Sequence, residues 1–237
     1  MTNTLLMRFV APMQSWGVQS NFDYRDTGLE PSKSGVVGLL CAALGHDREK
    51  EIDPRFLSAR MGVRVDCEGV VAYDYHIAGV GGILKADGKV KSDNVVPSWR
   101  YYLADAAFLV GLESEDVDWL HSLHHALQHP VWPLFFGRKA FPPAEPVALY
   151  ENAVRTQDLQ TALQDHPRLR EDPCSLDPDR MRGLLEDSQG PIVRMDQPLA
   201  FARGKRQFGL RRMKACMFYV PKGDATDEST LSHAPDA

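Results

Sequence analysis

An α+β chain whose strands and helices run in the order β-α-β-β-α-β is what this sequence predicts, and three observations carry the prediction. Short apolar segments of strand length recur between residues 5 and 136, two of them separated only by Cys67, Glu68 and Gly69. Between them lie two helical patterns, one apolar nearly all round and the other with its apolar residues three and four apart. The 237 residues, 43% of them hydrophobic, suffice for one large domain or a domain with an appendage.

Leu5 to Val10 reads as the first strand and stops at Ala11 and Pro12, where proline removes a ladder donor. A loop from Met13 to about Pro31 leads to an apolar helix from Gly35 to Leu44, with Ser32 or Ser34 as its cap and Gly45 as its stop. Met61 to Asp66 and Val70 to Ile77 make the second and third strand-like runs. Residues 79–98 change character, with Gly79, Gly81, Gly82 and Gly88 among Lys85, Lys89 and Lys91, as a projecting hairpin or mobile loop does. Trp99 to Leu112 restores a strand, and Glu115 to Gln128 carries Val117, Leu120, Leu123, His124 and Leu127 at helical spacing. Val131 to Phe136 is read as the closing strand, before Gly137, Arg138, Lys139 and a proline-rich exit. This order is that of a ferredoxin-like, or RRM-like, sheet with a protruding hairpin. Beyond residues 1–150, short helices at Thr156 to Leu163 and Asp177 to Asp187 and strands at Ile192 to Met195 and Ala215 to Val220 suggest a small C-terminal α/β unit over 151–223. The polar, acidic residues 224–237 are expected to be a disordered tail.

The longest apolar runs fall well short of the roughly 20 residues that cross a bilayer, so no membrane association is expected. The first residues lack the basic, apolar and cleavage segments of a leader, and a cytoplasmic location is the default. Cysteines 41, 67, 174 and 216 are too far apart for a short-spaced zinc pair and read as buried thiols, so no metal or cofactor is expected. The formal charge of −5 excludes a generally basic coat, yet residues 194–222 hold eight Lys and Arg against the single acid Asp196. A local anion-binding surface and a solvated basic face both fit that count.

The helix start at Ser32, Lys33 and Ser34 places hydroxyls and a cation beside free N–H groups, a setting suited to phosphate, although it is also an ordinary capped helix. Upstream, Gln14, Ser15, Trp16, Gln19 and Phe22, followed by Arg25, combine amides, a hydroxyl, rings and a charge. Such groups hold unpaired RNA, whereas Trp16 and Phe22 are equally suited to the core. Trp99 and Arg100 must point to opposite faces of a strand, so that one face packs and the other is free for RNA. Arg138 and Lys139 add a cationic turn, Lys91 a hairpin charge, and Arg203, Arg206 and Arg211 the basic C-terminal strand region.

Asp74, Tyr75 and His76 admit an enzymatic reading with His76 as base and Tyr75 as acid, the chemistry of metal-independent RNA cleavage. A strand-end histidine that bonds backbone or RNA is the preferred reading. His121 and His125 are four apart on one helix, but no Glu follows His121, and a surface or half-buried face is expected.

Together the segments at 11–17 (APMQSWG), 25–45 (RDTGLEPSKSGVVGLLCAALG), 74–78 (DYHIA), 98–112 (SWRYYLADAAFLVGL) and 133–143 (PLFFGRKAFPP) resemble the Cas-five family of CRISPR-associated proteins, in its type I-E Cascade branch within the RAMP superfamily. The resemblance covers residues 5 to about 147 and thins beyond 150, where Arg206, Gln207 and Phe208 are its main trace. It implies a ferredoxin-like domain with a hairpin thumb over about 79–98, which binds the 5′ handle of the CRISPR RNA at one end of the backbone filament. Gln14, Ser15, Trp16 and the helix start at 32–34 match the handle-contacting region by motif. The implied partners are the CRISPR RNA, the Cascade backbone subunit and the Cascade large subunit, with target DNA reached only through the complex. One branch of the family cleaves precursor RNA with a tyrosine, a lysine and a histidine. The hairpin here has no Lys-His dipeptide, so binding without catalysis is expected.

Overall fold

The computed structural model describes residues 1–19, 23–79, 82–84, 88–91, 95–171, 179–202 and 204–219. The chain is a mixed α/β protein dominated by sheet. Strand β1 (Asn3–Val10) is followed by two short pairings, β2 (Met13–Gln14) and β3 (Tyr24–Arg25), and by helix α1 (Lys33–Leu44). After the single turn α2 (Arg55–Ser58) come β4 (Arg60–Cys67), β5 (Val70–Ala78), β6 (Ile83–Leu84), β7 (Val90–Lys91), β8 (Val96–Ala104) and β9 (Ala107–Ser114). Helix α3 (Val117–Gln128), β10 (Val154–Arg155), α4 (Leu159–Gln164), β11 (Arg180–Glu186), β12 (Ile192–Ala200) and β13 (Gln207–Tyr219) complete it.

The main sheet has the order β10-β1-β9-β4-β11-β13-β12, antiparallel throughout. Helices α1 and α3 cover one face and bury Val36, Val37, Leu40, Leu120 and Leu123 against Leu5, Met7, Phe9, Val63 and Val110. Helix α4 covers the other. It lies close because Gly62 and Gly111 face each other in register on β4 and β9, where a side-chain carbon would stand within 2.8 Å of Leu163 and 2.7 Å of Leu159. Buried Arg64 ties the two layers, pairing with Asp66 and donating to Leu163, His166 and Pro167 carbonyls.

Near Cys67 and Ala107 the β4–β9 pair gives way to a second pair, β5–β8, in register from Val70↔Ala104 to Ala78↔Val96. Nine residue pairs at about 3.4 Å each make a ribbon about 30 Å long. The hairpin expected over 79–98 is thus only the outer part of it, and the short β6–β7 pairing continues its tip. Strands β2 and β3 pair with β8 at Leu103–Ala104 and Trp99–Arg100, anchoring the ribbon on the loop that follows β1.

Three expected elements differ. Val131 to Phe136 is not a strand: preceded by Pro130 and interrupted by Pro133, it turns its first N–H groups onto the end of α1, Val131 donating to the Ala43 carbonyl and Trp132 to the Ala42 carbonyl, which the Gly45 N–H also reaches. The pairing outside β1 is made instead by Val154 and Arg155. The helix expected over Asp177 to Asp187 is strand β11 across its described part, because Met181, Gly183 and Leu185 are buried at period two against the free edge of β4. Residues 151–223, expected as a small C-terminal unit packed on the first, contribute in their described part β10 to one edge of the main sheet and β11–β13 to the other. The tail over 224–237 lies outside the described residues, as does Cys174. Cys41 and Cys67 are buried and Cys216 half-buried, and burial pushes the Cys41 and Cys216 thiols up to about 11.

Candidate nucleic-acid interface

Helix α1 buries one side in the core and leaves Ser34, Gly35, Gly38 and Ala42 on the other, where they line an open groove of about 1220 Å3. Twelve helical residues give it a length of about 18 Å. One wall is the loop of Ser15 to Val18 together with the turn at Gly137. That turn adopts φ 86°, and a side-chain carbon there would lie 1.8 Å from the Ser15 carbonyl oxygen, so only glycine lets the two segments meet. Phe136 accepts the Ser15 N–H at 3.1 Å, which fixes the approach and places Arg138 and Lys139 over the groove. The other wall is formed where β12 ends and β13 begins, by Phe201 just after β12, Arg206 just before β13 and Phe208 on β13.

Arg25, Arg48, Arg138, Lys139 and Arg206 line this groove, and none is in an ion pair among the described residues, whereas Asp26 is the one acid on the wall. Exposed Trp132 and the side chains of Phe135, Phe201 and Phe208 supply flat apolar surface between the charges. Unpaired cations interleaved with rings suit a single-stranded polyanion with accessible bases.

The groove opens toward the ribbon at Arg25 and Arg138. Alternation divides the ribbon into two faces. Tyr24, Tyr73, Tyr75, Trp99 and Tyr101 share one, with Tyr24 stacked on Trp99 at 4.9 Å and Tyr75 against it at 5.2 Å, and no charged side chain of β3, β5 or β8 lies among them. Arg25, Asp74, His76, Ser98 and Arg100 share the other. Arg138 donates to the Tyr101 carbonyl at 2.8 Å and the Arg25 carbonyl at 3.4 Å and lies over the Phe141 ring. Burial, then the charges of Arg100 and Arg25, hold its pKa below the ordinary arginine range, with Asp74 and Asp26 opposing.

The structure brings Ser15, Arg25, Ser34, Arg138, Lys139 and Arg206 to one groove, with Arg100 and His76 on the adjoining ribbon face. Gln19 is exposed beside it and its N–H donates to Asp26. Among the other expected contacts, Gln14, Lys33 and Arg211 are internal, and those expectations are corrected, whereas Trp16 and Ser32 line the groove with little exposure. Gln14 is fully buried, donating to the Phe9 and Ala106 carbonyls and accepting from the Trp16 indole. Trp16 itself is 2% exposed and stacked on Phe9. Ser32 is the buried cap of α1, accepting from the Gly35 N–H. Lys33 is 0% exposed, its ammonium held by the Ala59 carbonyl at 2.7 Å and by Glu186 at 3.0 Å. Arg211 is 4% exposed and pairs with Asp196 at 2.7 Å, and Asp196 also accepts the Lys33 N–H. Burial favours neutral Asp196, but the bonds and charge of Arg211 outweigh it and hold the carboxyl below the usual range. Trp99 packs within the aromatic face. Phe22 and Arg203 lie outside the described residues, as does the side chain of Lys91.

Sequence reasoning missed Arg48, Trp132, Phe135 and Phe201. Trp132 and Phe135 sit in the segment read as a strand, and the two prolines around Trp132 were the available signal that it is a loop. Tyr75 and His76, adjacent in sequence, project to opposite faces of the ribbon, and His76 bonds Asp74.

Residues 4–214 match the family described as CRISPR-associated protein (Cas_Cas5). The chain belongs to the Cas5 family. Among family relatives it is 29% identical over 182 residues to the CRISPR system Cascade subunit CasD of Escherichia coli (strain K12), covering 70% of this chain and 78% of that protein. Two solved structures share its shape. One, described as a crystal structure of Cas protein, is 38% identical with a TM-score of 0.72, covering 93% of this chain and 98% of that one. The other, a chain of a CRISPR RNA-guided surveillance complex, is 31% identical with a TM-score of 0.75 over 92% and 91%. Among the described residues no helix of this Cas5-family chain is long and apolar enough to cross a membrane.

Proposed function

We propose that this chain is a non-catalytic Cascade subunit that binds the 5′ handle of the CRISPR RNA and caps one end of the backbone filament. The observation that carries the reading is the groove along α1, where unpaired cations alternate with rings. Kinship to CasD and to a chain of an RNA-guided surveillance complex supports membership of such an assembly. The strand order β10-β1-β9-β4, with helices between β1 and β4 and between β9 and β10, supports reading the core as ferredoxin-like. In that reading the β5–β8 ribbon is the thumb. The CRISPR RNA runs from the groove onto the ribbon's polar face, while the backbone and large subunits flank the chain and target DNA is met only through the complex.

Binding is favoured over metal-independent cleavage because the ribbon sends Tyr75 and His76 to opposite faces, which speaks against their acting together on one scissile phosphate. The test is to assemble the complex with Arg138→Gln and Arg206→Gln combined. Guide RNA that co-purifies in reduced amount and dissociates at lower salt is the expected result, since each lost phosphate contact removes about 0.7 from the salt slope. Guide occupancy equal to the parent's at every salt concentration would contradict it. Defined cleavage of repeat RNA by the purified chain in chelator, abolished by His76→Ala, would establish the enzymatic reading instead.

A further inference from the structure

Asp74 on the polar face of the ribbon makes an unexpected choice of partner. Arg25 and Arg100 are register partners on β3 and β8, so their side chains leave one face side by side, and Arg138 reaches the same edge through the carbonyls of Arg25 and Tyr101. Three guanidinium groups therefore converge, and among the described residues none of them is in an ion pair. On the other side of Arg100, its register partner on β5 is Asp74, a carboxylate on the same face and about 5 Å away across the strands. An Asp–Arg cross-strand pair is the expected outcome of that register. Instead, Asp74 bonds the His76 ring two residues along, and among the described residues the Arg100 guanidinium donates to Ser98 Oγ at 3.1 Å.

We propose that Arg25, Arg100 and Arg138 take one phosphodiester of single-stranded RNA, and that His76 is a positioning residue that keeps this site open by holding Asp74 away from Arg100. The inference rests on the RNA-binding reading above. A carboxylate on Arg100 occupies the same guanidinium fork that a phosphate needs and repels the incoming anion. Without the imidazole, Asp74 is left opposite Arg100, its register partner, and within the field of Arg138. Exposed cross-strand pairs are weak, so the competition is worth about two- to fivefold in affinity.

The experiment is a double-mutant cycle on the full chain, with a short fluorescently labelled single-stranded RNA of mixed sequence as probe. Arg100→Gln is the control for the reading itself. Asp74 and His76 side chains are 55% and 45% exposed, so their variants disturb no core. His76→Ala is expected to weaken RNA binding about two- to fivefold, Asp74→Asn to leave it equal or tighter, and the double variant to match Asp74→Asn. Arg100→Gln is expected to weaken it further and to flatten the salt dependence. A double variant as weak as His76→Ala would show that His76 contributes to RNA binding directly, and His76→Ala without loss would show that Asp74 does not compete. Either result overturns the latch while leaving RNA binding intact. If Arg100→Gln binds RNA like the parent, the reading of this face as an RNA surface fails instead.

Discussion

The cations at the start of α1 and those at the base of the ribbon are the same residue types put to opposite uses. Lys33 and Arg211 are buried, and Glu186 and Asp196 neutralise them; Arg182 and Arg194 both pair with Glu30, binding the loop before α1 to β11 and β12. Arg25, Arg100 and Arg138 crowd one another and are in no ion pair among the described residues, with Asp74 and Asp26 acting on Arg138 from beyond ion-pair distance. The difference lies in what the fold packs beside each group. A cation whose charge is matched inside the protein holds the protein together, and one held beside like charges has its counterion still to come.

The largest expected effect tests the first half of that contrast. Lys33→Ala leaves Glu186 without its cation and should cost about 3–5 kcal/mol in denaturant unfolding, with the RNA affinity of the folded fraction unchanged. A stable Lys33→Ala protein that had lost RNA binding would break the division. Gly137→Ala is next: it forces a side chain against the Ser15 carbonyl at φ 86° and should cost about 2 kcal/mol or more, while moving Arg138 and so weakening RNA binding as well. Trp132→Ala sharpens the second half, since it should lower RNA affinity by about 1–3 kcal/mol of lost stacking and leave the unfolding midpoint nearly unchanged. Smallest is Arg206→Gln, a modest loss of affinity with a salt slope flatter by about 0.7. The paired set also has its own pH signature. Asp196 has a folded pKa below its unfolded value of about 3.9, so its contribution is complete above that value and is lost as the pH falls through the lower folded one. Acid unfolding of Asp196→Asn should accordingly lack part of the drop seen in the parent below about pH 4.

How far the sequence discloses all this follows from the range of the forces involved. Strand β1, helix α1 with its Ser32 cap and Gly45 stop, and helix α3 are legible because capping and periodicity act within a few residues. The alternation of Trp99, Arg100 and Tyr101 was enough to divide the ribbon into two faces. Strand β11 was read as a helix because its partner β4 lies more than a hundred residues away and no local signal announces a free sheet edge. For the same reason Lys33 looked like a phosphate ligand: its sequence neighbours are hydroxyls, and Glu186 reaches it only in the folded chain. Positive charge is visible in a sequence, but its neutralisation by a distant acid is not. The excess over residues 194–222 accordingly mixes paired Arg194 and Arg211 with exposed Arg206.

Ultraviolet cross-linking of the guide RNA within the assembled complex, with adducts mapped by mass spectrometry, tests most directly whether RNA follows the outer side of α1. Adducts at Trp132 and Phe208, lost when Arg138 and Arg206 are replaced by glutamine, are the expected result. Adducts confined to Tyr73 and Tyr75 on the uncharged face of the ribbon would contradict the account.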